Sequence, residues 1–411
     1  MVYKYISVVN VGIQIVGTVV LGSLSSWIGV FDNTFVVDAT KFVFWVALPA
    51  LVINGIGVGI DFYSDAFVWD FIKVFLLIRV ASLLLSFFLV IAVFRERKGL
   101  GDVAVQFLNF SWISTIVHGI PILTAILPDP AMAVFFGLMA GISSFLFQLP
   151  LQLFFLEASV LERQLLFAPE VTDEEALTAE KESTPPHEIN KVDEETHLEE
   201  EHSEIKMESD AKLETPKSRL ALWLELISRR DILTQVTGRV IRNPVLWGIC
   251  IGFIISLSTF GKTYLRPLND QKEPNTNYVE GLEWFVALLN WLGDMVSPLS
   301  LFSMGVWMHQ QGKDLISISW LELAGSMLVK LVLIPLLMVG LVDVYDLPNT
   351  YARSAVLVAA LPISLAAFSL GKQFDIGEAS LAANVTMGTI LMLPALLAWI
   401  EVLDHFELYM I

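Results

Sequence analysis

The chain has 411 residues, 55% of them hydrophobic and 17% charged, with a mean hydropathy of +0.66. That is too apolar for a soluble protein of this length and places it among polytopic membrane proteins. The net charge of −18 does not argue for a nucleic-acid or other charged partner, because residues 157 to 217 hold nineteen acidic against six basic side chains and so carry thirteen of those charges.

Apolar stretches long enough to cross roughly 30 Å of hydrocarbon follow one another along the chain. The first half has five, at about 6–28, 38–59, 67–94, 103–127 and 131–157. Met1 to Val30 lacks a basic start and a small-residue cleavage site, so the first span is expected to stay attached. A polar insert follows, running through Pro185-Pro186 and Glu199-Glu200-Glu201 with few aromatic residues, a composition that predicts disorder. From Ser218 to Arg242, leucines alternate with Arg229, Arg230, Arg239 and Arg242. This predicts a basic amphipathic helix on the membrane surface, or else an extension of the next span. Five further spans are expected at about 243–259, 283–308, 316–341, 350–371 and 378–402. The predicted organisation is a first five-helix repeat over 1–157, an acidic cytoplasmic loop over 158–240 and a second five-helix repeat over 241–411.

Two spans look interrupted, the fourth at Ser114-Thr115-Ile116-Val117-His118-Gly119-Ile120-Pro121 and the ninth at Val358-Ala359-Ala360-Leu361-Pro362-Ile363-Ser364. Proline removes an amide donor and clashes with the preceding turn, which lipid cannot repair, so such breaks are expected beside a polar cavity. Their positions match between the halves. Pro49 corresponds to Pro298, and Arg79 and Lys330 follow these prolines by 30 and 32 residues. An odd number of spans per half makes the second half enter the membrane in the opposite sense. The predicted fold is therefore an all-α polytopic membrane protein of ten helices, two inverted five-helix repeats with broken helices crossing at spans 4 and 9.

Basic residues at Arg95, Arg97, Lys98, Arg163, Lys313 and Lys372 share one face, which the positive-inside rule makes cytoplasmic; Lys262, Arg266 and Lys272 dissent. The single cysteine, Cys250, forms no internal disulfide or metal site by itself. No zinc signature, nucleophile elbow or phosphate loop occurs. An intramembrane aspartyl protease built on Tyr345-Asp346 and Gly293-Asp294 fails, because Trp291 stands where a glycine is needed and the motifs come in reverse order. No enzyme, cofactor or metal is expected.

Five pieces, in order on the right spans, resemble the auxin efflux carrier family. They are Phe42 to Leu51 with Ala47-Leu48-Pro49, Ser114 to Pro121, Arg242-Asn243-Pro244, Asp294 to Gly305, and Ala359-Ala360-Leu361-Pro362 continuing to Phe368 and Gly371-Lys372. The resemblance implies ten spans in two inverted repeats, transport of a small organic anion and a homodimer. Two departures make the pocket more apolar than in the plant carriers: Ser114 stands where the family usually has Asn, and Ile363 where many relatives have Gln.

The candidate substrate-binding residues are Ser114, Thr115, His118, Gly119, Pro121, Pro362, Ile363 and Ser364, with Asn109 and Asn54. The prolines mark the breaks or are ordinary kinks, Gly119 permits close crossing, and the hydroxyls are donors or merely back-bonded. His118 titrates near neutral pH, so its protonation could couple to anion binding; the alternative is a packing histidine. Asp70, Lys73, Asp294, Arg79 and Lys330 are candidate coupling or support residues. Asp70 and Lys73 form a local pair or snorkel, Asp294 gates or lines a vestibule, and Arg79 and Lys330 offset an anion or pair with Asp102 or Glu322. The expected function is export of a small carboxylate by an elevator mechanism, at the plasma membrane or endoplasmic reticulum. The alternative is a non-transporting sensor signalling through the acidic loop.

Overall fold

A computed structural model describes residues 2–59, 67–92, 99–167, 230–258, 265, 282–312 and 318–409. The insert predicted to be disordered runs from about 158 to 218: its residues 158–167 are instead the end of the helix Leu149–Phe167, while 168–218 lie outside the described residues, as do Arg95, Arg97, Lys98, Lys262, Arg266, Lys272 and Lys313. Two compact units are present, one of Met1–Val160 with Arg230–Ile411 and one of Leu161–Arg229. Of the second, the described part is residues 161–167, a helix end.

The first half contains α1 (Val2–Trp27), α2 (Asn33–Gly57), α3 (Phe67–Ala92), α4 (Leu100–Ser111), α5 (Thr115–Ile126) and α6 (Pro130–Gln164). The second half contains α7 (Arg230–Ile241), α8 (Pro244–Leu257), α9 (Glu283–Gln311), α10 (Trp320–Val344), α11 (Asn349–Ala359), α12 (Leu365–Gln373) and α13 (Glu378–His405). No β-strand occurs among the described residues. Among the described residues, seven helices are long and apolar enough to cross a membrane, eight if α7 and α8, bent by 63°, count as one. The α4/α5 and α11/α12 pairs miss that measure because each is interrupted. Large apolar side chains face outward, among them Leu84, Phe88, Trp291 and Leu321, as lipid rather than water requires. Of the basic stretch before the sixth predicted span, residues 230–241 form a helix, α7, separate from α8, and 218–229 lie outside the described residues. The joint follows from Asn243-Pro244: Asn243 Oδ1 accepts the Val245 N–H at 2.9 Å, and Pro244 occupies the first turn, where no amide donor is needed.

Among the described residues, four π-helical turns lie within the long helices or open one, at Val43–Ala47, Thr115–Gly119, Ser144–Gln148 and Val329–Leu333. Each is followed, two residues on, by a proline: Pro49, Pro121, Pro150 and Pro335. The physical cause is common to all four. Proline at position i has no N–H and its ring strikes the carbonyl of residue i−4; widening the preceding turn moves that carbonyl aside. The residue before the proline then reaches one carbonyl further back, as Leu48 N does to Val43 O and Ile334 N to Val329 O.

Close helix contact relies on small residues. Gly22 on α1 and Gly305 on α9 each lie against the other helix's backbone, Gly248 and Gly252 on α8 against Pro49 and Ile56 on α2. Between α3, α6 and α11, Tyr351 meets Phe71 and Phe136 edge to face, with centroids 5.8 and 4.9 Å away, and Phe71 lies tilted against Phe136 at 5.1 Å. Two glutamines cross-link α6 to α4: Gln148 Nε2 donates to Ser111 Oγ at 2.7 Å and Gln152 Nε2 to the Ala104 carbonyl at 2.8 Å.

A buried ion pair joins α11 to the end of α13, Arg353 Nη1 to Asp404 Oδ1 at 2.7 Å, with Arg353 only 2% exposed. Replacing Arg353 with methionine leaves the carboxylate without its charge partner. The expected result is destabilisation by about 3 kcal/mol, read as a lowered melting temperature in detergent; an unchanged value would show the pair to be dispensable.

Candidate functional site

The two breaks meet. Helix α4 ends at Ser111, and Trp112 (φ −81°, ψ 80°) and Ser114 (φ −80°, ψ 62°) leave helical geometry before α5 resumes at Thr115. Helix α11 ends at Ala359, and Leu361 to Ser364 run non-helical until α12. The two extended stretches pair antiparallel with Ile113 opposite Ile363. Ser114 N donates to Pro362 O at 3.0 Å, and Ser364 N donates to Trp112 O at 2.9 Å. Each break thereby supplies the backbone partner that the other lost on leaving its helix. Both isoleucines are buried, and the surroundings are trimmed to fit: a Cβ on Gly119 would stand 2.9 Å from Leu361 Cδ1, one on Gly388 3.3 Å from Pro362 Cβ.

Pro121 does not make the first break, contrary to the expectation from sequence. The break precedes it by seven residues, and Pro121 is absorbed by the π-helical turn Thr115–Gly119. Pro362 does lie within its break.

Beside the crossing is a cavity of about 350 Å³. Its walls are mainly apolar, with Phe44, Trp45, Trp112, Phe145 and Met304, while Ser114, Thr115, His118, Ser144 and Ser364 supply polar groups. Lys41 and Gln373, both exposed, also line it, as does Asn243, the residue that caps α8. His118 Nδ1 is 2.7 Å from Ser114 Oγ, whereas its buried Nε2 has no hydrogen-bond partner among the described residues. Ser364 Oγ caps α12 by accepting the Ala366 N–H at 3.3 Å. No cluster able to hold a metal ion occurs among the described residues.

Of the residues picked from the sequence, Ser114, Thr115, His118 and Ser364 line the cavity, and Gly119, Pro362 and Ile363 build the crossing behind it. The others lie elsewhere. Asn109 donates to Ser380 Oγ at 3.3 Å and Asn54 to Asn290 Oδ1 at 2.6 Å, each tying helices together away from the cavity lining. Asp70 and Lys73 pair at 2.8 Å on an exposed face of α3, and Asp294 is exposed. Arg79 and Lys330 are buried behind the wall: Arg79 Nη2 donates to Ser144 Oγ at 2.8 Å, Lys330 Nζ to Ala359 O at 3.1 Å. Asp102 does not pair with either; it accepts the Gly99 N–H at the start of α4. Sequence reasoning missed Phe44, Phe145, Met304 and the exposed Lys41 and Gln373. Their helices are distant in the chain, and an apolar period alone does not say which faces meet.

Interrupted helices stitched together beside an amphipathic cavity, inside an apolar shell, define a membrane transporter by class. The chain belongs to the Membrane transport protein family, which it matches over residues 8–400. It is similar to auxin efflux carrier component 8 of Arabidopsis thaliana, 24% identical over 291 residues that cover 71% of this chain and 68% of the relative. It is also similar to the probable auxin efflux carrier component 3b of Oryza sativa subsp. japonica, 28% identical over 174 residues, and to component 7 of Arabidopsis thaliana, 26% over 173. Each covers 42% of this chain, and 27% and 25% of those relatives respectively. The resemblance to the auxin efflux carrier family is therefore borne out.

Proposed function

We propose that the chain is a secondary carrier that exports a small organic anion, an auxin-like molecule with an apolar body and one carboxylate, by elevator-type alternating access. The observation that carries the reading is the stitched crossing of Ile113 and Ile363 with a mostly apolar cavity beside it. In this reading the chain crosses the membrane ten times, as two inverted five-helix repeats over 1–157 and 241–411. The acidic loop of 158–240 is cytoplasmic, and the protein acts as a homodimer in the plasma membrane or endoplasmic reticulum.

The ligand's carboxylate would sit at the start of α5 and α12, where helix dipoles and first-turn amides favour negative charge. Ser114, Thr115 and Ser364 are the hydroxyl donors, and the free Nε2 of His118 is a further polar partner. Trp112, Phe44 and Phe145 would take the apolar body. Cavity walls contributed by α2 and α9 as well as by the crossing support a division into a static scaffold (spans 1, 2, 6 and 7) and a moving body (spans 3 to 5 and 8 to 10). An inside-negative potential of 100 mV would add roughly 2.3 kcal/mol per exported negative charge, so no coupling ion is needed.

Flux of indole acetate and a panel of small carboxylates from proteoliposomes, at two pH values and with an imposed potential, tests the reading. Potential-driven movement that falls about tenfold in Ser114→Ala or Thr115→Ala, in line with a lost charge-assisted hydrogen bond, is the expected result. Deleting residues 170–215 should leave that movement intact. Binding without any movement would replace the carrier with a sensor.

A further inference from the structure

Buried charges in this protein are generally matched. Arg353 meets Asp404, and Glu157 meets Arg239 Nε at 2.8 Å. Arg79 and Lys330 are different. They are 2% and 1% exposed, yet neither takes part in an ion pair among the described residues. Arg79 spends one nitrogen on Ser144 Oγ, and its Nε and Nη1 have no partner. Lys330 donates to the carbonyl of Ala359, the last residue of α11, where the helix dipole offsets only part of a charge.

An unmatched cation held away from water is costly, and in a membrane segment it normally faces a partner or a cavity. Both cations bear on one cavity. Ser144, which holds Arg79, lines it, and Ala359, which holds Lys330, ends α11 two residues before the non-helical stretch whose Ser364 lines it. One cation comes from each half of the chain, so the crossing is flanked by positive charge contributed by both repeats.

We infer that Arg79 and Lys330 select the charge of the ligand: they are fixed cations behind the cavity wall that make an ionised ligand, rather than its neutral isostere, the species the cavity takes. Neither touches the cavity, so both are positioning residues that act through Ser144 and through the end of α11. An anion in the cavity supplies the counter-charge that the protein withholds; a neutral ligand of the same shape leaves both cations uncompensated. The inference rests on the carrier reading above and adds to it the source of the selectivity.

The test measures binding of indole acetate and of its neutral isostere indole acetamide to the purified full-length chain in nanodiscs at neutral pH. Wild-type protein is expected to prefer the acid. Arg79→Gln and Lys330→Gln should each weaken the acid by about tenfold or more and leave the amide unchanged. Arg79→Lys and Lys330→Arg should restore most of the preference. Gln variants that bind the acid as wild type does, or that lose acid and amide equally, overturn the inference. So does a wild type that takes acid and amide alike, which decides the matter even if the Gln variants fold poorly. A wild type that binds neither probe nor any carboxylate of the panel overturns the carrier reading, and the inference with it.

Discussion

Gly305→Leu is expected to abolish folded protein. Gly305 on α9 lies directly on the backbone of α1: any Cβ there would coincide with the carbonyl oxygen of Val19 and come within 2.9 Å of Ser23 N. Backbone of a helix cannot step aside as a flexible side-chain end can, so the two helices must separate along their length. Gly22 stands in the reciprocal position, against the Phe302 carbonyl, so one crossing is tightened from both sides. Membrane helices gain little from hydrophobic exclusion against one another and rely on such close packing. The cost should exceed about 3 kcal/mol, the upper part of the usual range for overpacked cores. Monodisperse protein in detergent and its melting temperature are the readouts. Gly17→Ala, on α1 with open space around it, should by contrast keep or slightly raise stability. Equal behaviour of the two variants would show that the α1–α9 contact is not what holds these helices.

Ser114→Pro should eliminate transport and lower stability more than Ser114→Ala, which loses only the Oγ that meets His118 Nδ1. The reason lies in the main chain. Ser114 has φ −80°, close to what proline requires, and Ile113 before it is already extended, so the ring fits without distorting the break. What disappears is the N–H that reaches Pro362 O, leaving a buried carbonyl unpaired in the middle of the crossing. That loss is worth about 1–3 kcal/mol in a protein interior, and it removes one of the two bonds that hold the breaks in register. Ser364→Pro, at φ −76°, removes the other bond and should behave the same way. Melting temperatures and carboxylate flux compared across the proline and alanine variants provide the check. Proline variants that transport normally would mean the pairing of the breaks has no part in the cycle.

The places of the apolar stretches were legible because twenty or so apolar residues in a row leave few alternatives, and described helices stand at each of them. The matched breaks were legible as a region, from Ser114 to Pro121 and from Val358 to Ser364. Their exact location was not. Proline suggested a break at 121, whereas Pro121 is accommodated by a widened turn and the chain departs from the helix at Trp112, where no special residue stands. Ser114, Thr115, His118 and Ser364 could be read as cavity residues because they adjoin the breaks. Asn109 and Asn54 could not be placed correctly, since a buried amide serves a helix contact as readily as a ligand, and only the three-dimensional neighbour, Ser380 or Asn290, distinguishes these. Arg79 and Lys330 were visible as a matched pair of cations, but their lack of carboxylate partners is a fact of geometry alone.

The four widened turns have a consequence for how such a chain can diversify. A turn closed over five residues rather than four holds one residue more than a regular turn, so each is equivalent to a single insertion, tolerated because a proline follows. The helix beyond it is rotated by about 100° relative to an uninterrupted continuation, the angle one residue subtends at 3.6 per turn. The two ends of one span therefore present independent stripes, one toward the crossing and one toward lipid or a neighbouring helix. Deleting a residue within any of these turns would re-phase everything downstream in that span while leaving its length almost unchanged. Natural variation in this architecture can thus turn half a helix, and the side chains it offers to the cavity, without rebuilding the other half.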